Sequence, residues 1–426
     1  MLKTKPSLTA VLLFGAIAIT SCKESTTPGG DTPDLANQSS DMTVLPDLSD
    51  PPDLTMLPPD LTPACGFGQT YSGGSCTCDV NHPVSCAGAT YCCAAIQACL
   101  TQPGPRGETR CSLPALGRAR HVMAYDKLRD RSVTRTGICA SGGIDVFCQD
   151  QWHLTAATWD PQTVANPPSA RSDSSFIWDD NAKGLLLWGG LTILNNTNSQ
   201  TNEMWLWDGS TWTKKTPATG PSARYAHAMA FDSLRKVAVM FGGITVGGLA
   251  VDETWEWNNT QWLQRNTATI PNVRSDHRMV YDTKGKRVLM HGGFVGGQYS
   301  RETWAYDGSN WTQLPDDTAL SRRVKFGMAY DEVRQVAVIF GGEVVNQFGI
   351  SSLANDTWEY DGTKWTKKNP GTPPGTRVYP AMFYDGGRKQ VLMFGGDPQV
   401  TDQTKDLWAW DGTNWNTVPG YLWSTA

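Results

Sequence analysis

The sequence predicts an all-β fold built from six repeated four-stranded units, and three observations lead to this prediction. Pairs of Trp seven residues apart occur six times, at Trp152/Trp159, Trp205/Trp212, Trp255/Trp262, Trp304/Trp311, Trp358/Trp365 and Trp408/Trp415. Six Gly-Gly doublets precede them, at Gly142-Gly143, Gly189-Gly190, Gly242-Gly243, Gly292-Gly293, Gly341-Gly342 and Gly395-Gly396. The doublets recur about every 50 residues, which is typical of stacked supersecondary repeats.

Each unit is predicted to contain four strands, named a to d. In strand a, Met and aromatic residues alternate with small ones, as in residues 227–232, which indicates a strand with two different faces. Strand b is continuously apolar, as in Val237–Phe241, and suits burial on both faces. The Gly doublet ends strand b, where Gly permits a positive φ. Strands c and d carry the two Trp residues, and four copies join them by Asp-Gly, a hairpin turn signal.

A single four-stranded blade cannot bury both of its faces, so the six units are expected to stack as a six-bladed β-propeller over residues 112–426. Trp rings would fill the wedges between blades. Each blade comes from one continuous segment. Ring closure is therefore expected to depend on packing of blade six against blade one, unless residues 112–117 or 416–426 add an edge strand.

The period, the Gly doublet and the fixed Trp resemble those of kelch repeats, over roughly residues 118–415. The resemblance implies a kelch-type β-propeller. Some kelch-type proteins are enzymes, among them galactose oxidase, whose copper site needs a Tyr cross-linked to a Cys. Here the only cysteines of the repeat region, Cys139 and Cys148, lie together in the first unit. The sequence therefore gives that copper chemistry little support.

The N-terminus has the pattern of an export signal. Lys3 and Lys5 precede an apolar run over residues 8–19, which is too short to span a bilayer. The run ends Ile19-Thr20-Ser21-Cys22, which resembles a bacterial lipobox. Residues 1–21 are therefore predicted to be a lipoprotein signal peptide, with Cys22 lipidated and holding the chain at a membrane. The alternative is an ordinary secretory signal with a chance Cys. Lys23 after the Cys favours the outer membrane or cell surface, by resemblance to lipoprotein sorting.

Two segments are expected before the propeller. Residues 22–64 repeat Pro-Asp-Leu and carry too little apolar surface for a core, which predicts a disordered linker; a docking motif is the alternative. Residues 65–111 are predicted to form a small disulfide-stapled module. Its eight cysteines are Cys65, Cys76, Cys78, Cys86, Cys92, Cys93, Cys99 and Cys111. Their spacings do not fit zinc knuckles, so no metal is expected.

Cys139 and Cys148 flank the first Gly doublet. With Cys22 set aside, ten cysteines remain, an even number that fits five bridges. If the repeats align, one of the two residues lies near the end of a strand and the other just before the next. A bridge between them would staple a hairpin of the first blade.

Each unit opens with an Arg, and in three units a His follows three residues later. These residues could ring one mouth of the central channel as an anion-binding or metal-binding rim. The set is Arg118, His121, Arg171, Arg224, His227, Arg274, His277, Arg323 and Arg377. The other interpretation is structural: each Arg pairs with an Asp of a neighbouring blade, such as Asp126 or Asp232. Because Ser174, Phe326 and Pro380 replace the His elsewhere, a symmetric metal site is not expected. No cofactor and no catalytic residue are assigned.

Charge and motifs narrow the function. Residues 23–64 carry eight acids and one base, while the rest of the chain is close to neutral. Without a basic stripe, nucleic acid is not an expected partner. The Asp-Gly-x-x-Trp turns differ by one residue from the Asp boxes of sialidases. The favoured hypothesis is a surface lipoprotein whose propeller binds a protein or glycan through the b–c and d–a loops. The alternative is a carbohydrate-active enzyme, sialidase-like or oxidase-like.

Overall fold

A computed structural model describes residues 117–418, apart from residues 142–143, 156–158, 195–196, 347 and 400–402. It also describes four short strands before residue 111. Those four strands pair as Gln69–Ser72 with Ser75–Cys78 and Gln102–Pro103 with Thr109–Arg110. The chain divides after Ala64 into two units, and the first lies outside the described residues. So do Cys22, the linker and the predicted bridges of the cysteine module. Nothing described is a helix of the length and apolarity that a membrane crossing requires.

Residues 122–417 form six antiparallel sheets in the order a-b-c-d, as the repeat predicts. Strands a are Val122–Asp126, Ser175–Asp179, Ala228–Asp232, Arg278–Asp282, Gly327–Asp331 and Ala381–Asp385. Strands b are Arg131–Arg135, Gly184–Trp188, Val237–Phe241, Arg287–His291, Val336–Phe340 and Gln390–Phe394. Strands c are Gln151–Leu154, Met204–Trp207, Thr254–Trp257, Thr303–Tyr306, Thr357–Tyr360 and Leu407–Trp410. Strands d are Trp159–Gln162, Trp212–Lys215, Trp262–Arg265, Trp311–Gln313, Trp365–Lys368 and Trp415–Thr417.

The b–c loops form small hairpins of their own. Their strands are Ile138–Ser141, Ile144–Phe147, Leu191–Leu194, Thr197–Gln200, Ile244–Thr245, Phe294–Val295, Gln298–Tyr299, Glu343–Val345 and Ser351–Leu353. Several of these hairpins pair with short strands that precede strand a, namely Arg118–Ala119, Arg171–Ser172, Arg224–Tyr225 and Arg322–Val324. The predicted bridge between Cys139 and Cys148 is confirmed, with Cα atoms 5.8 Å apart, and it ties together the hairpin of blade one.

Aromatic rings fill the wedge between neighbouring blades. The last residue of strand b packs on the strand-d Trp of the next blade: Phe241 lies 5.3 Å from Trp311 between ring centroids, and Trp188 lies 6.0 Å from Trp262. Blade one differs, because its strand b ends in Arg135, whose guanidinium lies 5.6 Å from the Trp212 ring. The same contact repeated between successive blades builds a ring from units that could not be stable singly.

The ring closes by packing, as expected from the continuity of the blades. Phe394 of blade six lies 4.9 Å from Trp159 of blade one. Met123, Trp152 and Leu154 of blade one share one buried cluster with residues of blade six. Blade one takes all of its four strands from residues 122–162, so no edge strand is borrowed from the described part of the tail.

A buried hydrogen bond adds to each of three blade contacts. The indole N–H of Trp311, Trp365 and Trp415 donates to the strand-c Thr of the preceding blade, over 2.8 to 3.0 Å. Trp262 faces Met204 instead, and its indole nitrogen has no hydrogen-bond partner among the described residues.

Replacing Thr357 with Val is therefore expected to lower the free energy of unfolding by about 1–3 kcal/mol, because the buried N–H of Trp415 loses its acceptor. Urea denaturation followed by Trp fluorescence measures this change. Thr366→Val, on the exposed face of strand d, is the matched control and should change stability by less than about 0.5 kcal/mol. Equal midpoints for the two variants would contradict the assignment.

One predicted doublet was wrong. In blade one, strand b ends at Arg135, and the place of the doublet is taken by Thr136 and Gly137, with φ of 63° and 99°. Gly142 and Gly143 come six and seven residues after Thr136 in the sequence and lie outside the described residues. At Gly242 an added Cβ would lie 2.6 Å from the Arg274 carbonyl oxygen and 2.9 Å from the His277 ring. For Thr136 the residue at the position of His277 is Ser174. Its side chain is smaller than a His ring and leaves room for the Cβ of Thr136.

Candidate binding site

The six repeated arginines do not form a rim. Their exposure is 0 to 2%, and each forms an ion pair with an acid of its own blade. The pairs are Arg118–Asp150, Arg171–Glu203, Arg224–Glu253, Arg274–Glu302, Arg323–Asp356 and Arg377–Asp406. The channel-rim interpretation is thus corrected, since these guanidinium groups lie inside the blades. The arginines are structural, as the other interpretation held. Each pairs, however, with an acid of its own blade and not with the expected Asp of a neighbouring blade.

We call each of these arginines, together with its paired acid, the clamp of its blade. Arg274 is an example. Its guanidinium donates to the Gly292 carbonyl oxygen over 3.1 Å and to the Glu302 carboxylate over 2.7 Å. The same carboxylate accepts from the Trp304 indole N–H over 3.0 Å. The clamp therefore joins the start of the blade to the Gly doublet and to strand c. Burial of the guanidinium lowers the pKa of Arg274, although its bond to Glu302 acts in the opposite direction.

The expected Asp partners have another function. Asp232 ends strand a and accepts backbone N–H bonds from Leu234 and Arg235 over 3.0 and 2.9 Å. It also accepts from the Arg235 side chain over 2.8 Å. Asp126, Asp331 and Asp385 bind the a–b turn of their own blades in a similar way. These carboxylates stabilise local turns and are not partners of the arginines that open the neighbouring blades.

The histidines also serve the scaffold. The His227 ring packs edge-on against Trp188 of the preceding blade at 4.9 Å, and His277 packs against Phe241 at 5.8 Å. His121 makes the same contact with Phe394 at 5.4 Å. Neither ring nitrogen of these three side chains has a hydrogen-bond partner among the described residues. They act as neutral aromatic wedges and do not surround an open metal site.

A different ring of six residues surrounds the channel mouth. Each member lies two positions after the clamp Arg and has a φ between 53° and 59°. The ring consists of Arg120, Asp173, Ala226, Asp276, Lys325 and Tyr379. Five backbone N–H···O=C bonds of 2.6 to 3.3 Å join successive members from blade to blade. We name these six residues the mouth ring; unlike the clamp, its side chains differ from blade to blade.

The mouth ring opens into a cavity of about 320 Å³ along the axis, lined by the strands a. Arg120 pairs with Asp173 over 3.2 Å, and its guanidinium lies 3.8 Å from the centre of the Tyr379 ring. Lys325 pairs with Glu343 of the b–c hairpin over 3.0 Å. These contacts hold two cations and two acids in fixed positions around the opening.

Two charges in the cavity remain without such partners. No described residue donates a hydrogen bond to the Asp276 carboxylate, and Arg278 forms no ion pair with a described carboxylate. The Arg278 guanidinium donates to the His277 carbonyl oxygen over 3.1 Å. Burial, and then the charge of Asp173, raises the pKa of Asp276; burial lowers the pKa of Arg278. The two groups also act on each other: the charge of Arg278 opposes the rise in the pKa of Asp276, and the charge of Asp276 opposes the fall in the pKa of Arg278.

Sequence reasoning missed this site because it compared what the units share. The signal was present at the position two residues after each repeated Arg, where the six units carry Arg120, Asp173, Ala226, Asp276, Lys325 and Tyr379. Arg278 also stands where the sister strands begin with Val122, Ser175, Ala228, Gly327 and Ala381. A large cation at that place has no counterpart in the other blades.

The fold and these sites define a six-bladed β-propeller with an axial cavity. The family model of the KLHDC2/KLHL20/DRC7 Kelch-repeats domain matches residues 138–318. Among solved structures, one titled "Structure of YjhT" aligns with a TM-score of 0.57 and 13% sequence identity, covering 71% of this chain and 98% of that chain. No curated protein matches the sequence. Residues 138–318 thus match the kelch-repeat family, and residues 122–417 have the fold of a six-bladed β-propeller.

Proposed function

We propose that this protein is an exported, lipid-anchored binding protein whose propeller binds a protein or glycan ligand at the face of the mouth ring. The observation that carries the proposal is the contrast between the clamp and the mouth ring. The clamp Arg is the same in all six blades, while the mouth ring places different residues on one surface. Repeated residues maintain a scaffold, whereas an asymmetric set of polar groups around a cavity suits recognition.

Anchoring is the other part of the proposal. Its support is the short apolar segment that ends at Cys22, followed by a Pro- and Asp-rich stretch. Acyl chains on that cysteine would hold the propeller at the outer membrane or cell surface, with its binding face free to meet ligands. Incorporation of a labelled fatty acid by the wild-type chain and not by Cys22→Ala tests the anchor.

The catalytic alternative has one observation in its favour. Asp173 is held by Arg120, whereas Asp276 is buried and has a raised pKa. Two carboxyl groups in different environments can divide acid and base roles. The mouth ring would then act on a bound carbohydrate as well as hold it.

Ligand binding by the Asp276→Asn variant tests both the binding function and the catalytic alternative. The full chain is presented with a glycan panel and, separately, with solubilised envelope proteins, and the glycan samples are analysed for products. We expect ligand binding to weaken at least about tenfold without loss of thermal stability, because no described residue hydrogen-bonds to this carboxylate. Lys286→Gln, on an exposed turn at the opposite face, is the control. Binding that survives both substitutions would place the ligand elsewhere, and product formation would favour the enzyme.

A further inference from the structure

A second cavity lies beside the axial cavity, on the face of the b–c loops. Its volume is about 300 Å³, which is the size at which the ligand pockets of proteins begin. Blade one contributes Ile138 and Phe147, blade two contributes Leu191 and Asn198, and blade six contributes Asp397 and Gln403. We call this cavity the side pocket. Its chemistry comes from three adjacent blades and is not part of the repeat.

A disulfide bond holds the apolar wall that blade one contributes. Ile138 and Phe147 are paired across the b–c hairpin, and the bridge between Cys139 and Cys148 joins the two residues that follow them. Ile138 also pairs with Ala119, a buried residue that lines the same pocket. The two apolar side chains are therefore held in place before a ligand arrives, and binding requires less ordering of the protein.

Polar groups of blades two and six complete the lining. The Asp397 carboxylate accepts the backbone N–H of Gln399 over 2.7 Å and forms no ion pair with a described residue. Asn198 is exposed, and its side-chain amide has no hydrogen bond to a described residue. Both groups are open to a ligand, since the bond to Gln399 uses only one of the two carboxylate oxygens.

The side pocket carries a net negative charge. Arg120 and Asp173 also line it, but they pair with each other over 3.2 Å and their charges cancel. Asp397 is then left without an opposite charge among the described residues of the lining. A carboxylate, phosphate or sulfate group would meet like charge here, so the pocket favours an uncharged ligand.

This combination of side chains suits a sugar ring. A pyranose has an apolar face of C–H groups and a rim of hydroxyl groups. Its face would pack on Phe147 and Ile138. Its hydroxyl groups would donate to Asp397 and exchange hydrogen bonds with the amides of Asn198 and Gln403. An alkyl amine would satisfy the carboxylate but would leave the amides unpaired, which is unfavourable for buried polar groups.

We propose that the side pocket binds one uncharged sugar ring of a glycan ligand, with Asp397 accepting from its hydroxyl groups and Phe147 packing on its apolar face. The inference rests on the proposed binding function and specifies a glycan as the ligand. Because Arg120 and Asp173 line both cavities, the next sugar of the glycan would lie at the mouth ring.

Ligand-observed NMR on the full chain tests the proposal, with glucose, galactose, mannose and their uronic acids as separate probes. We expect at least one neutral sugar to bind, and its uronic acid to bind at least about tenfold more weakly. Leu191→Trp should abolish binding, because the larger ring fills the pocket. Asp397→Asn should narrow the gap between the sugar and its uronic acid, because the repelling charge is gone.

Leu249→Trp is the matched control. It makes the same change at a 70% exposed residue of the blade-three hairpin, outside the side pocket, and should leave sugar binding unchanged. Thermal melts of each variant show that the fold is retained.

Several outcomes would overturn the inference. They are the absence of binding by any neutral sugar, binding that persists in Leu191→Trp, and equal affinity for a sugar and its uronic acid. If Asp276→Asn weakens binding of a glycan that Leu191→Trp still binds, the proposed function stands and the side pocket is wrong. If envelope proteins bind and no sugar does, the protein version of the proposed function stands and the glycan is wrong.

Discussion

Replacing Arg274 with Met is expected to lower the free energy of unfolding by about 3–5 kcal/mol. The side chain is 0% exposed, and its loss leaves the Gly292 carbonyl oxygen and the Glu302 carboxylate without their cation. That cost is a large fraction of the 5–15 kcal/mol, roughly, that keeps a domain folded. Urea denaturation of the full chain, followed by Trp fluorescence, measures the change.

Arg301→Met is the matched control from the same blade. Arg301 pairs with Asp316 over 2.8 Å, but the two side chains are 29% and 40% exposed. Such a surface pair contributes about 0–1 kcal/mol. If Arg274→Met kept the wild-type midpoint while ligand binding disappeared, the clamp would have to be reassigned as a recognition site.

Acid should unfold the propeller between about pH 6 and 4, because five buried histidines stay neutral in the fold. They are His121, His153, His227, His277 and His291. Burial, with a smaller effect of nearby arginines, lowers the pKa of His153 and of His227 from 6.5 to about 3. The same causes lower the pKa of the other three well below the usual value.

The direction of the change in stability with pH depends on whether the folded or the unfolded chain takes up protons. Below pH 6.5 the unfolded chain protonates these rings and the folded chain does not, so stability is complete above 6.5 and falls as the pH drops toward 3. At pH 4.5, each His with a folded-state pKa of about 3 lowers the free energy of unfolding by roughly 2–3 kcal/mol relative to its value at pH 7. His153 and His227 together account for about 5 kcal/mol. The raised pKa values of Asp179 and Asp276 act in the opposite direction, but these are two groups against five.

His227→Phe isolates one of these terms. Blade five already carries Phe326 at the equivalent position, packed edge-on against His291 at 5.6 Å, so a Phe ring suits the wedge. The variant should be close to wild type at pH 7 and about 2–3 kcal/mol less sensitive to the change from pH 7 to 4.5. Urea midpoints at pH 7.0, 5.5 and 4.5 give the comparison. Parallel pH profiles for the two proteins would show that His227 does not titrate in this range.

The clamp was partly readable from the sequence. An acid stands two residues before the first Trp of every unit, as in Asp150-Gln-Trp152 and Glu302-Thr-Trp304. The spacing could not show that this acid, and not the Asp that ends strand a, meets the repeated Arg. The two acids lie at opposite ends of the blade, and only the antiparallel order of the strands decides which end the Arg occupies.

The doublet of blade one fails for a related reason. A search for Gly-Gly finds Gly142-Gly143, because left-handed backbone is normally left to Gly. In the structure Thr136 adopts a φ of 63° at the equivalent place, and Ser174 stands where other blades have a ring. The Thr in place of a Gly is compensated by the Ser in place of a ring, some forty residues further along the chain. A search for a local pattern does not reveal this pairing.

The sequence alone determined the architecture: six blades, their four strands, the Trp wedges, closure by packing, and the bridge between Cys139 and Cys148. These features repeat or depend on local spacing, so each copy confirms the others. Only the tertiary structure decided which residues face the channel. Arg120, Asp173, Asp276, Lys325 and Tyr379 are far apart in the chain and belong to different repeats. They become neighbours because six blades meet at one axis, and a set of residues brought together by symmetry of the backbone leaves no joint signature in sequence.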